Sequence, residues 1–180
     1  MNNMDKINVR EAEECDLEQI ITIGEGIFPY EYNPKTKEQS HIFFKGKLGK
    51  SLDKVYVAYR NDELLGFAIY SPEGLTATHK IFQIGIKKEF QGQGIGVILL
   101  KESMVQYVQN MKKLGLDVYA IYLTTSSDNP AGQNLYRKLG FVEVGRMNDT
   151  FIGKGNVEIV MTKFFDERKY PTGLWNEDKK

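Results

Sequence analysis

The chain has 180 residues, of which 41% are hydrophobic and 27% are charged, and its 24 lysine and arginine residues balance its 24 aspartate and glutamate residues. This length suits one domain, and the composition favours a packed core over disorder. The neutral balance gives no overall basic footprint of a nucleic-acid-binding protein, while leaving a local basic patch open, and no apolar run approaches the about 18 residues of a membrane span. We therefore expect neither nucleic acid nor a membrane as a partner.

Cysteine and histidine are scarce in the sequence. Cys15 is the only cysteine, so no internal disulfide forms and nothing indicates an oxidising compartment. With only two histidines, His41 and His79, we expect no metal site. The first residues carry acids early and no long apolar segment, which argues against a signal peptide and favours a cytoplasmic location.

The N-terminal part predicts one strand and two helices. Residues 7–12 alternate as a strand. Asp16 is the expected N-cap of the first helix, with Gln19 as its capping-box partner, and the helix is expected to end near Gly24 or Gly26. Its inward residues are expected to be Leu17, Ile20, Ile21 and Ile27.

The loop at residues 28–34 is set by its prolines and is unusually aromatic. It either packs on the domain edge or contacts a substrate. A second capping pattern, Thr36 with Gln39, predicts a helix to about Gly49. Its apolar side is expected to comprise Ile42, Phe43 and Leu48.

The remaining chain predicts a sheet with two further helices. Residues 54–60 and 64–70 form a hairpin, residues 81–87 a strand, and residues 95–111 a helix ended by Gly115. The apolar residues of this helix are expected to be Ile95, Ile98, Leu99, Val105, Val108 and Met111. Further strands are expected at 118–124, 141–146 and 157–164, with a helix from Pro130 to Gly140 between the first two.

The resulting element order, β α α β β β α β α β β, predicts a single mixed α/β domain over residues 1–165. A polar tail follows at residues 166–180.

The junction between strand 81–87 and the long helix indicates a phosphate-bearing ligand. Gln91-Gly92-Gln93-Gly94-Ile95-Gly96 places three alternating glycines there. The first amides of a helix have no partner within it, and this end of the helix is partly positive. Glycine lets an anion come close to those amides.

Two common phosphate-binding motifs do not fit this loop. A P-loop needs lysine and a hydroxyl after its last glycine, where this chain has Val97. The dinucleotide fingerprint needs glycine at the position of Val97, and Asp117 stands before the next strand instead of at its end.

The loop resembles the acetyl-CoA motif [QR]-x-x-G-x-[GA] of the GNAT superfamily of N-acetyltransferases. A second stretch, residues 129–141 (NPAGQNLYRKLGF), resembles the family's N-x-x-A-x-x-L-Y-x-K-x-G-F signature. It departs at Gly132, which replaces the usual alanine and which we expect to matter little. The resemblance implies the acetyltransferase fold, with a mixed, mostly antiparallel sheet and helices on both faces.

The resemblance also implies roles for individual residues. Tyr136 matches the general acid that protonates the leaving CoA thiolate, and Asn129 matches a side chain that contacts the cofactor. The strand that pairs with the pantetheine arm, and splays from its neighbour, contains Ile84, Gly85 and Ile86. The pyrophosphate cradle comprises Gln91, Gly92, Gln93, Gly94, Ile95 and Gly96.

The general base stays open. Gln83 stands where many relatives carry an acid, and glutamine accepts no proton at neutral pH. Glu25, Glu31 and His79 are candidates that are equally explained as surface or turn residues, and a water relay would also serve. Thr124 replaces the glutamate of the subfamily that acetylates ribosomal N-terminal alanines.

We expect acetyl transfer from acetyl-CoA to a primary amine of a small molecule, by direct attack in a ternary complex. The expected acceptor site borders residues 28–32, with Phe28, Tyr30 and Glu31 as contacts, and residues 147–155. A protein N-terminus or lysine remains an alternative acceptor. A CoA-binding sensor without catalysis is the rival interpretation, and a homodimer would agree with many family members.

Overall fold

The computed structural model describes residues 6–27, 36–49, 52–74, 76–148 and 157–165. Seven strands form one sheet, and four helices cover it in the predicted order. The strands are β1 Asn8–Glu11, β2 Lys54–Arg60, β3 Glu63–Pro72, β4 Thr78–Ile86, β5 Ala120–Ser126, β6 Val142–Asn148 and β7 Val157–Phe164. The helices are α1 Leu17–Ile27, α2 Lys37–Leu48, α3 Ile95–Lys113 and α4 Pro130–Lys138. Short 3₁₀ turns span Glu14–Asp16 and Lys88–Phe90.

The sheet is mixed and mostly antiparallel, as predicted. Its strand order is β1-β2-β3-β4-β5-β7-β6, and only β4 and β5 run parallel. Helices α1 and α2 pack on one face against β2 and β3, in a cluster that includes Phe44, Val57 and Phe67. Helices α3 and α4 cover the other face, in a cluster that includes Leu99, Tyr107 and Tyr136. None of the described helices is long and apolar enough to cross a membrane.

The start of α1 differs from the prediction. Asp16 is not an N-cap, because its buried carboxylate accepts two hydrogen bonds from Arg10, at 2.6 and 2.9 Å, and one from the Glu13 amide at 2.8 Å. Burial alone would raise the pKa of Asp16, but these bonds outweigh it and lower that pKa. Gln19 forms no capping box with Asp16 and instead accepts the Leu64 amide at 3.1 Å, which ties α1 to β3.

Two predicted apolar faces are partly wrong. Ile42 on α2 is 68% exposed, and Phe44 is the residue buried beneath the helix. The reason is Gly24 of α1, where a Cβ would come within 2.8 Å of the Phe44 ring. On α3, Val105 is 55% exposed, and Leu100, Met104 and Tyr107 are buried.

Several local predictions are confirmed. Thr36 caps α2 by accepting the Gln39 amide at 3.2 Å. Gly115, with φ +75°, follows the end of α3, and Gly140, with φ +84°, follows the end of α4. These left-handed positions favour glycine because a side chain there is strained.

Candidate active site

The sheet opens between β4 and β5. The two strands pair only where Thr78, His79 and Lys80 face Ala120, Ile121 and Tyr122. Beyond the Lys80–Tyr122 pair, β4 continues to Ile86 along β3, while β5 continues to Ser126 along β7. Ile84, Gly85 and Ile86 therefore lie on a strand edge that faces this opening, which we call the β4–β5 gap.

The glycine loop stands at the wide end of the gap and leads into α3. Gly92 and Gly94 have φ of +77° and +81°, and a Cβ on either would meet no atom within 4 Å. The first helical acceptor is the Gly94 carbonyl, which receives the Val97 and Ile98 amides at 3.0 and 3.2 Å. The amides before Val97 thus precede the first helical hydrogen bond, at the positive end of a 19-residue helix.

The other residues of this loop hold it in place. The Gln91 side-chain amide donates to the Ile86 carbonyl at 3.0 Å, and that of Gln93 donates to the Glu89 carbonyl at 3.1 Å. Ile95 is buried in the core. A Cβ on Gly96 would lie 3.3 Å from the Leu135 side chain, so this glycine lets α3 approach α4. Only Gly92 and Gly94 therefore leave open space beside the loop.

Tyr136 projects from α4 into the core cluster that also contains Ile81 of β4 and Leu123 of β5. Its side chain is buried, and its ring meets that of Phe141 edge-on at 6.0 Å. Burial raises the pKa of Tyr136 to about 12, so the phenol keeps its proton at neutral pH. Its hydroxyl forms no hydrogen bond with any other residue that the structure describes.

Asn129 caps α4, and Gly132 permits this. The Asn129 carboxamide oxygen accepts the Gly132 amide at 3.0 Å, and its nitrogen approaches Thr125 Oγ1 at 3.3 Å. A Cβ at position 132 would overlap the Asn129 carboxamide. The departure from the family's alanine therefore matters more than the sequence suggests, because it shapes the Asn129 conformation.

We call the face of the gap turned away from α3 and α4 the acceptor face, because the segment predicted to contact the acceptor follows α1 in sequence. Ile121 and Leu123 of β5 lie in the α3–α4 cluster, so Tyr122 and Thr124 point to the opposite face. Helix α1 ends there at Ile27, whose side chain would lie 3.0 Å from a Cβ on Gly85. The predicted acceptor residues Phe28, Tyr30 and Glu31 lie outside the described residues, as do positions 149–155 of the second predicted segment.

His79 is neither a surface nor a turn residue. It is buried on β4, where Nε2 donates to the Asp117 carbonyl at 3.0 Å, and Nδ1 accepts from the Tyr107 hydroxyl at 2.6 Å. Burial lowers the pKa of His79, which keeps the ring neutral. The ring thus joins α3 to the closed end of the β4–β5 pair.

Gln83 lies on the acceptor face opposite Ile69 of β3, next to a β-bulge at Phe82. Its side-chain oxygen is buried and has no hydrogen-bond partner among the described residues. Glu25 of α1 is partly exposed. The described part of the chain therefore presents no carboxylate at the position where many relatives have one.

Sequence reasoning missed several polar residues of the acceptor face. Lys80 and Tyr122 form the last β4–β5 pair, and the Tyr122 hydroxyl donates to Glu73 at 2.9 Å. Glu158 of β7 is 8% exposed and faces Ser126 of β5. An acid inside the apolar run Val157–Phe164 was the one available signal for Glu158.

Comparisons with known proteins agree with this geometry. The profile of the Acetyltransferase (GNAT) family matches residues 17–141. The chain is 34% identical over 95 residues to N-alpha-acetyltransferase 30 of Schizosaccharomyces pombe, which covers 51% of this chain and 59% of that protein. It is 27% identical over 146 residues to an N-alpha-acetyltransferase of Sulfurisphaera tokodaii, covering 76% and 80% of the two chains.

A solved structure shares the same fold. The chimera of spermidine N-acetyltransferase SpeG from Vibrio cholerae and hSSAT superposes with a TM-score of 0.73 at 22% identity, over 89% of this chain and 96% of that one. The matched family profile spans the splayed strands, the glycine loop and α4. The chain belongs to the acetyltransferase (GNAT) family.

Proposed function

We propose that this protein transfers an acetyl group from acetyl-CoA to a primary amine, by direct attack of the amine in a ternary complex. The observation that carries the proposal is the β4–β5 gap, with the glycine loop at its wide end and Tyr136 in the core beside it. Acetyl-CoA supplies the acetyl group as a thioester, which is already activated toward an amine.

The residues present fit this co-substrate. The open space beside Gly92 and Gly94, and the free amides at the start of α3, suit a pyrophosphate. The edge of β4 at Ile84–Ile86 pairs with no strand on the β5 side among the described residues, so its backbone groups are available to a pantetheine arm. Asn129 is less available to contact the co-substrate, because its carboxamide oxygen already caps α4.

Tyr136 donates a hydrogen bond to the sulfur as the carbon–sulfur bond breaks. The neutral phenol is a ready donor, and developing negative charge on sulfur strengthens this bond in a buried site. With a pKa of about 12, the phenol is a weaker acid than a thiol, so it stabilises the charge on sulfur as a hydrogen-bond donor, and any proton that it passes to sulfur is replaced by one from solvent. The balance of the reaction then requires one amine proton to leave as the sulfur gains one.

No described side chain on β4 removes the amine proton. Gln83 accepts hydrogen bonds but no proton, and both nitrogens of His79 are engaged. The amine therefore attacks in its neutral form, and the proton that its nitrogen loses as the amide forms passes to water. We propose Tyr136, the glycine loop and β4 as the catalytic and cofactor-binding residues.

The proposed acceptor is a small amine, which the partly exposed, mixed polar and aromatic acceptor face can accommodate. A protein N-terminus is the second candidate, and it is favoured by the activity for which the S. pombe and S. tokodaii relatives are named. A sensor without catalysis is disfavoured by the buried, protonated phenol of Tyr136 next to the gap.

The test is release of CoA thiol from acetyl-CoA across amino acids, polyamines, aminoglycosides and peptides, beside a direct CoA titration. We expect binding of CoA, and release that depends on one acceptor class. CoA binding without release for any acceptor would leave the sensor interpretation. Absence of CoA binding would overturn the assignment of the gap and the loop.

A further inference from the structure

Lys80 stands at the closed end of the β4–β5 gap. It is the last residue of β4 that pairs with β5, and its partner is Tyr122. The next residues of β4 diverge from β5, so a group that lies along the gap from the glycine loop ends at this pair. Under the proposed function, on which this inference rests, the acetyl group reaches the neighbourhood of Lys80.

The Lys80 side chain is on the acceptor face. Its ammonium lies 5.6 Å from the centre of the Phe82 ring and 5.7 Å from that of the Tyr122 ring. The Phe82 ring in turn packs against Phe43 of α2 at 5.8 Å and is 45% exposed. These contacts place Lys80 on the side from which an amine would approach, with exposed surface around it.

The charge of Lys80 has no carboxylate within ion-pair distance in the described part of the chain. It forms no ion pair with any residue that the structure describes, and Glu73 accepts the Tyr122 hydroxyl at 2.9 Å instead. A second ammonium, that of Lys47, lies 4.8 Å from the same Phe82 ring and is paired with Asp53. Glu158 faces Ser126, four residues along β5 from Tyr122, or about 13 Å away at the rise of a strand.

We infer that Lys80 binds an anionic group of the acceptor, so that the substrates are amines that carry a carboxylate or phosphate a few bonds from the reacting nitrogen. Aromatic rings attract a cation but do not neutralise it, so the ammonium still attracts an anion. A polyamine would place further ammonium groups near Lys80 and be repelled.

The experiment uses pairs of acceptors that differ in one charge. The pairs are amino acids and their amides, ethanolamine phosphate and ethanolamine, and a tripeptide with aspartate or asparagine in second position. Spermidine is added as a polycation. Steady-state kcat/KM is measured for the wild-type protein, Lys80→Met, Lys80→Arg and Lys112→Met, the last an exposed lysine in the final turn of α3.

For the wild type, we expect about a tenfold preference for the charged member of at least one pair, the size of one well-placed charge-assisted contact. Lys80→Met should reduce it to about threefold or less by raising KM for the acceptor, with the affinity for CoA unchanged. Lys80→Arg and Lys112→Met should keep the preference. The acceptor pair for which the wild type shows this charge preference identifies whether the anion belongs to an amino acid, a phosphorylated amine or a peptide.

Two results would overturn the inference and leave the proposed function standing. One is acetylation of spermidine and of the neutral amines without any charge preference. The other is a preference that Lys80→Met leaves intact in a variant that binds CoA normally. Absence of thiol release with every acceptor would instead overturn the proposed function, and the inference with it.

Discussion

The two faces of the sheet are built in different ways. On the α3–α4 face, the β4 edge, the glycine loop, Asn129 and Tyr136 all come from one stretch, residues 84–136. On the acceptor face, Glu73, Lys80, Tyr122 and Glu158 lie on or beside four different strands, β3, β4, β5 and β7, and no two of them belong to one local motif. The first set is held by local geometry, through a strand end, a left-handed turn and a helix cap. The second set is brought together only by strand pairing.

The difference follows from what each face is proposed to bind. A phosphate-bearing co-substrate of constant shape needs backbone amides and a fixed gap, which a short contiguous motif provides. An acceptor is distinguished by side-chain charge and shape, and side chains on neighbouring strands supply these independently. Substitutions on the α3–α4 face should therefore change catalysis or CoA affinity, and those on the acceptor face should change KM for the amine.

The sharpest comparison uses one tyrosine from each face. The pKa of Tyr136 and that of Tyr122 are both raised to about 12, mainly by burial. Tyr136→Phe removes the proposed donor to the sulfur and should lower kcat by about a hundredfold or more, the usual contribution of a general acid. Steady-state kinetics and a CoA titration measure this, and the affinity for CoA should change little.

Tyr122→Phe is the matched control. It removes a phenol hydroxyl on the acceptor face, together with the hydrogen bond that this hydroxyl donates to Glu73. We expect a change of a few fold in KM for the amine and a nearly unchanged kcat. Equal losses of kcat in both variants would mean that the two faces do not divide the chemistry as proposed.

The next comparison uses the two ends of α3. Gly94 precedes the helix with φ +81°, and Gly115 follows it with φ +75°. A Cβ added to either glycine would meet no atom within 4 Å. Alanine at either position should cost about 1–2 kcal/mol of the free energy of unfolding, because both need the left-handed region. Only Gly94→Ala adds a side chain beside the free amides, so it alone should weaken CoA binding, by about tenfold.

Chemical denaturation and a CoA titration of both variants measure these effects. Equal CoA affinities for Gly94→Ala and Gly115→Ala would show that the glycine loop does not approach the phosphates. Gly115→Ala also tests whether general destabilisation alone affects binding.

Much of the fold was predictable because it depends on short-range signals. The order of the elements follows from alternation, helical spacing and the turn glycines, and the Thr36 cap needs only four residues. The inward face of α2 was not predictable, since Phe44 is buried there by contact with Gly24, 20 positions away. The prediction for Asp16 is likewise wrong because its carboxylate binds Arg10 across a turn and not its own helix.

The candidate site divides in the same manner. The glycine loop at residues 91–96 and the capped N-terminus of α4 were predicted from short contiguous sequence motifs. The burial of His79 depends on Tyr107 and Asp117, and the position of Lys80 depends on where two strands stop pairing. The burial of His79 and the position of Lys80 both depend on contacts between distant parts of the chain, so no short sequence pattern predicts them.

The smallest expected effect compares glycines in two helices on opposite faces. A Cβ added to Gly46 of α2 would meet no atom within 4 Å, so Gly46→Ala should raise the free energy of unfolding by about 0.5–1 kcal/mol through helix propensity. Gly132→Ala should gain the same propensity but displace the Asn129 cap, which is worth about 1 kcal/mol, so its net change should lie near zero. Denaturant unfolding of both variants measures the difference, and an equal gain in both would show that Asn129 caps α4 without needing the space that Gly132 leaves.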